Sequence, residues 1–138
     1  MLRVVLDTNV FLVGLLPKHK YGWVMRELIN SSYELCVSTD IMMEYNEKMQ
    51  EKYGVPFTKV LLDDLTNFKN VIRISPFYQW RLIVKDPDDN KFVDCAIAGH
   101  ADFIVSHDND FNILDQIKFP KVKVIRLEAF KSLLNLDS

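Results

Sequence analysis

Four carboxylates stand where side chains of this type could do chemistry. Asp7 ends the apolar run "VVL" and opens "DTN". Glu44 lies three residues after Ile41, on the edge of an apolar helical stripe. Asp94 stands inside "FVDCAIA", among apolar neighbours. A carboxylate so surrounded is costly unless it is paired, hydrogen-bonded or metal-bound. Asp108 follows the apolar run "FIVS" in "FIVSHDND". Oxygen ligands with no nearby Cys/His pair favour a hard cation, Mg²⁺ or Mn²⁺, over zinc. The reaction that needs such a cluster is phosphoryl transfer. Bound cations activate water, polarise a phosphodiester and stabilise the leaving oxygen. Without a cation, clustered carboxylates raise one another's pKa values.

Each acid also has a plainer reading. Asp7 with Thr8 and Asn9 is good helix-capping chemistry. Glu44 alone suits a solvated helix position, and Asp108 alone suits a loop, with Asp110 competing as a helix cap. Asp86, Asp88 and Asp89 in "KDPDDNK" suit a loop and a helix N-terminus, where negative charge favours the dipole. His19, His100 and His107 are scattered, and none reads as a ligand.

The elements that must position these acids alternate between strand and helix. Apolar runs predict strands at 2–6, 33–38, 71–74, 103–106 and 122–125. Helical spacing predicts helices at 8–16, 21–32, 39–54, 56–68, 88–100 and 127–136. Pro17 ends the first helix, Thr39 or Asp40 caps the third, and Gly54 stops it. Residues 75–87 read as irregular. Short, continuous apolar strands belong to parallel sheets buried on both faces. The class is α/β, a three-layer sandwich around five strands. Asp7 and Asp108 then lie past the carboxyl ends of the first and fourth strands. If those strands are neighbours at a reversal of strand order, both acids face one crevice.

The totals fit a chain of this kind. Its 138 residues favour one domain spanning 1–138, and 49% hydrophobic residues are ample for a core. A net charge of −2 gives no global signature of nucleic-acid binding. It does not exclude that function, because local charge and bound metal matter more than the sum. Cys36 and Cys95 lie in apolar runs and read as reduced core residues. No apolar stretch is long enough to span a membrane, and no signal peptide is visible, so a cytoplasmic protein is expected.

The chain resembles PIN-domain ribonucleases, and within them the small stand-alone VapC-like toxins of toxin–antitoxin pairs. The motifs that carry the resemblance are "VVLDTNVF", "STDIMMEY", "DPDDNKFVDCAIAGHADFIVSHDNDF" and the closing strand and helix. The resemblance implies a five-stranded parallel sheet of order 3-2-1-4-5. It makes Asp7, Glu44, Asp94 and Asp108 the four catalytic, metal-holding acids. Ser106 takes a place usually held by Thr or Ser. Asp89 is an alternate for Asp94, and Asp110 for Asp108. Thr8 and Asn9 would orient Asp7 or a metal-bound water. The resemblance further implies an RNA substrate, Mg²⁺ or Mn²⁺ as cofactor, a homodimer and a cognate antitoxin.

On this reading Asp7, Glu44 and Asp94 hold a cation and Asp108 completes the site or helps a second one. Lys91 is the nearest candidate in sequence for gripping substrate, while Lys18, Lys20 and Arg81 lie in irregular segments that could reach it. No aromatic stacking platform can be identified. "YGWVMRELI" suits either core or a dimer face. A non-catalytic PIN-like module that binds RNA or protein is the rival. A receiver domain is disfavoured, because the third strand ends in Ile74-Ser75-Pro76 with no phospho-accepting Asp.

Overall fold

The computed structural model describes residues 1–135. Five parallel strands form one sheet: β1 (Arg3–Leu6), β2 (Glu34–Val37), β3 (Val71–Arg73), β4 (Phe103–Val105) and β5 (Val124–Ile125). Their spatial order is β3-β2-β1-β4-β5. The chain first builds outward from β1 through β2 to β3, then crosses to the other side of β1 for β4 and β5. The reversal falls between β1 and β4, where Val4, Val5 and Leu6 lie opposite Phe103, Ile104 and Val105. Helices α1 (Thr8–Val13), α2 (Trp23–Ile29), α3 (Thr39–Tyr53), α4 (Val55–Asn67), α5 (Asn90–Ala98) and α6 (Leu127–Leu133) cover both faces of the sheet. Among the described residues no helix is long and apolar enough to cross a membrane.

Burial explains why the strands read as unbroken apolar runs. Val4, Val5, Leu35, Cys36 and Ile104 are fully buried, as expected for strands with helices on both sides. Cys36 and Cys95 are buried free thiols. Beside the sheet, Phe11 of α1 stacks on Tyr45 of α3 at 4.0 Å, and Trp23 and Tyr33 pack against Phe130 of α6.

Several boundaries differ from the sequence expectation. The first helix ends at Val13 rather than Leu16, with Gly14 as its C-cap. A Cβ at Gly14 would lie 2.8 Å from Val24 Cβ, so the chain turns where α2 crosses it closely. Helix α3 is capped by Ser38, whose hydroxyl accepts the Ile41 N–H, and not by Thr39 or Asp40. Gly54 stops α3 as expected. Its φ of +84° permits the sharp entry into α4, which begins at Val55. The segment 88–100 splits into a 3-10 turn (Pro87–Asp89) and α5. A 3-10 stretch at Asn109–Gln116 was not expected. Asp108 caps it by accepting the Asp110 N–H, so the capping role falls to Asp108 and not to Asp110. The last helix ends at Leu133, and Leu136 lies outside the described residues.

One buried bond ties α3 to the sheet beside the acids. The Tyr45 hydroxyl donates to the Leu6 carbonyl at 2.5 Å. Burial pushes the Tyr45 phenol well above its ordinary pKa, so it stays a donor. Tyr45→Phe leaves that carbonyl without this partner in a dry site. Urea unfolding should therefore show a loss of about 1–3 kcal/mol. An unchanged midpoint would mean that α3 is held there by packing alone.

Candidate functional site

The crevice at the carboxyl ends of β1 and β4 is fixed by the backbone. Ladder pairing runs one residue beyond each strand. The Asp7 N–H donates to Val105 O at 3.1 Å, and the Ser106 N–H donates to Ile125 O at 2.9 Å. Asp7 is 7% exposed, and the Ser106 hydroxyl donates to its Oδ2 at 2.7 Å. The same hydroxyl accepts the Asp108 N–H at 3.0 Å. Ser106 thus joins the two acids, one through its proton and one through its lone pair. Burial is the largest cause that raises the Asp7 carboxyl above its ordinary pKa. The Ser106 hydroxyl opposes this, and the Asp108 and Glu44 charges add to it.

Glu44 reaches this edge from α3. Its Oε2 accepts the Thr8 hydroxyl, and its Oε1 sits 2.7 Å from Lys91 Nζ. Both oxygens are engaged, so Glu44 is held at the rim. Lys91, expected to grip substrate, pairs with Glu44 in this structure.

The segment 86–110 sorts its acids by helical geometry. Asp89 is 9% exposed, and its Oδ2 is fully buried with no hydrogen-bond partner. Ligand oxygens of Asp86, Asp89 and Asp110 lie within 4.8 Å of one another. Burial pushes the Asp89 carboxyl up to about 7, helped by the charges of Asp86, Asp108, Asp7 and Asp110. Asp94 behaves differently. Its Oδ1 accepts the Trp80 N–H at 3.1 Å, which opposes the upward push of its burial. It lines a cavity of about 980 Å³ together with Pro87, Asn90 and Lys91. Asn90, Lys91 and Asp94 lie on one side of α5, at i, i+1 and i+4. Asp89, where the 3-10 turn passes into α5, stands three, four and seven residues before Phe92, Val93 and Ala96, all buried.

The structure therefore brings Asp7 within electrostatic reach of Glu44 and Asp108, and Asp89 within reach of Asp7 and Asp108, with Asp86 and Asp110 beside Asp89. Asp94 turns toward the neighbouring cavity. Asp89 stood only as an alternate in the sequence, and Asp86 as a loop acid. The signal for Asp89 was its spacing of three and four residues before Phe92 and Val93. Thr8 bonds Glu44 rather than Asp7 through its side chain, while its backbone N–H lowers the Asp7 pKa. Asn9 is exposed. Trp80 makes edge contacts with Tyr78 on the 75–84 loop and with Phe119 beside Pro120, an aromatic surface that the sequence did not reveal.

A PIN-domain family model matches residues 3–110. The chain belongs to the PIN-domain family. An uncharacterized protein of Methanocaldococcus jannaschii, MJ1680, is 27% identical over 135 residues, which cover 93% of this chain and 85% of that one. Among solved structures, this PIN domain is similar to a chain of VapBC2 from Rickettsia felis bound to a DNA fragment from their promoter. The TM-score is 0.63 at 16% identity, covering 91% of this chain and 98% of that one. A chain of DNA-bound VapBC from Salmonella typhimurium gives 0.57 at 16% identity with the same coverage. FitAcB from Neisseria gonorrhoeae gives 0.55 at 15%, covering 88% and 96%. These likenesses establish the fold of the PIN domain, and the chemistry rests on its own residues.

Those residues fit a divalent cation. The donors are carboxylate oxygens, and one of them, Asp89 Oδ2, is buried without a partner. An aspartate whose pKa rises from 3.8 to about 7 on folding keeps its proton in the folded state across that window. The metal-free protein should therefore lose stability as pH rises through it. Thermal melts in EDTA should give a lower Tm at pH 8 than at pH 5, and Asp89→Asn should flatten the difference. Added Mn²⁺ should raise Tm more at pH 8 than at pH 5, because the cation competes with that proton. A profile identical in wild type and Asp89→Asn would overturn this account.

Proposed function

We propose that this protein is a metal-dependent endoribonuclease, the toxin of a toxin–antitoxin pair. The observation that carries the reading is the buried, unpartnered Asp89 oxygen within electrostatic reach of Asp7 and Asp108. Like charges gathered in a poorly solvated crevice suit a cation and little else. Asp7, Asp89 and Asp108 would hold Mg²⁺ or Mn²⁺, with Glu44 at the rim and Asp86 or Asp110 as further donors. When bound, the cation supplies an activated water and charge stabilisation for the departing oxygen of a phosphodiester.

The chain's own residues supply orientation. Ser106 fixes Asp7 Oδ2 and the Asp108 backbone together. Asp108 Oδ1 takes the Asp110 N–H, which sets the direction of that carboxylate. Lys91 and Thr8 keep Glu44 in place. Asp94 we assign to a supporting task. It accepts the Trp80 N–H, while Asn90 clasps Ile83 through both its N–H and C=O, at 2.9 and 2.8 Å. Together they hold the loop that delivers Asp86. Arg81, on the wall of the larger cavity with Lys91, offers positive charge to an RNA backbone. An antitoxin partner is supported by the solved relatives, which are named as VapBC and FitAcB.

Cleavage of a labelled RNA should require Mn²⁺ or Mg²⁺ and stop in EDTA. Asp7→Asn, Asp89→Asn and Asp108→Asn should fall to background. Ser106→Ala should lose about 10–100-fold through misorientation of Asp7. Asp94→Asn should stay within about tenfold of wild type. Cleavage that persists in EDTA, or in both Asp7→Asn and Asp89→Asn, would sink the assignment.

A further inference from the structure

A second, smaller cavity opens directly on the acids. Its volume is about 320 Å³, at the lower end of the roughly 300–1,000 Å³ usual for small-molecule pockets. Val10, Val13 and Leu127 give it apolar walls, and the rings of Tyr21 and His107 stand in it at 6.3 Å and 72° to one another. Asp7 and Asp108 form its remaining side. None of the chemistry assigned above uses Tyr21, His107 or these walls.

We propose that this cavity holds the nucleobase next to the phosphate that is cut. The inference rests on the nuclease reading, and it adds where the base goes and which residues set base preference. Two features select a nucleotide over other occupants. First, the cavity is apolar and ring-lined, which suits the π-face of a base. Second, it adjoins the acids, so a base seated in it would leave its own phosphate at the crevice. The two rings are held in place from the outer side. The Leu127 N–H donates to His107 Nε2 at 3.1 Å, and Arg126 Nη2 lies 3.4 Å from His107 Nδ1. The Tyr21 hydroxyl donates to Glu128 at 3.4 Å, and Lys20 Nζ lies 4.9 Å from the centre of the Tyr21 ring. The Glu128 carboxylate also lies 3.6 Å from His107 Nε2, so the charge around the rings is mixed. The exposed Asn9 amide at the edge offers both a donor and an acceptor to a base.

The experiment has two arms, so that failure of the nuclease reading and failure of this inference can be told apart. In the first, each of the four ribonucleosides is titrated into ¹⁵N-labelled wild-type protein in EDTA. This arm needs neither metal nor cleavage. Amide shifts should concentrate at Val10, Val13, Tyr21 and Leu127. Tyr21→Phe should preserve them, and Tyr21→Ala should weaken binding about tenfold. Val13→Phe, which fills the cavity, should also abolish them while Tm stays near wild type. In the second arm, cleavage ends are sequenced for wild type, Tyr21→Ala and Tyr21→Phe. The alanine variant should raise KM and flatten the base preference beside the cut, with kcat changed far less. Shifts at the cavity without any cleavage activity would uphold the base site and sink the nuclease reading. Active cleavage with an unchanged base profile in Tyr21→Ala, or nucleoside shifts confined to other surfaces, would overturn the base site.

Discussion

Repulsion among buried carboxylates is the constraint around which this molecule is arranged. Asp7 and Asp89 are both withdrawn from water, and each feels the charge of Asp108. Left to themselves such groups would separate, or take up protons. They are kept together by backbone, the least deformable part of the chain. Asp7 is pinned because the β1–β4 ladder continues through its N–H, and Ser106 because the β4–β5 ladder continues through its own. A parallel sheet suits this purpose because all its strands end at one edge. The reversal of order between β1 and β4 leaves that edge open, where an antiparallel hairpin would have closed it with a turn.

Holding acids together also requires that the surrounding loops be fixed. The segment between β3 and α5 has no regular structure over 74–86, yet it must deliver Asp86 to within 4.8 Å of Asp89 and Asp110. Two side chains of α5 hold it, Asn90 at Ile83 and Asp94 at Trp80. The 3-10 turn and α5 therefore divide two functions between them. The end of the turn carries Asp89 into the acid cluster, and α5 carries Asn90, Lys91 and Asp94 to the loop and to Glu44.

This division explains what the sequence could and could not convey. Asp7 and Asp108 were legible because they sit just past apolar strands, and in an alternating α/β chain that position faces the crevice. The strand order was legible only through the family resemblance, since no spacing in a single chain states which strand lies beside which. Glu44 was legible from its place on the edge of the Ile41–Tyr45–Met49 stripe, all three of which are buried. Asp94 and Asp89 were ranked by their neighbours along the chain, and apolar neighbours drew attention to Asp94. In three dimensions the relevant neighbours are three and four residues away: for Asp89 these are the buried Phe92 and Val93, while Asp94, equally buried, stands after Asn90 and Lys91. Ser38 was passed over as a cap because two other good capping residues follow it, and only the backbone turn decides among them. Tyr21 and His107 come together from segments 86 residues apart in sequence (107 − 21), a juxtaposition that local pattern does not encode.

The two cavities beside the acids differ in a way that bears on how a single site handles a polymer. The larger is open and lined with mixed charge, with Glu44, Lys91, Arg81 and Asp94 on its walls. The smaller is mostly apolar and carries two aromatic rings. A nucleic acid has the same division along its length: a charged backbone that must stay hydrated or ion-paired, and bases that gain by leaving water. A protein that cuts the backbone has to place one part and shelter the other within a few ångströms. Asp7 and Asp108 belong to the wall of the smaller cavity, while Glu44, which acts electrostatically on Asp7, belongs to the larger. The acids therefore stand where the two environments meet. On the proposed reading, that meeting point is where a phosphate with its base to one side and its continuing backbone to the other would come to rest.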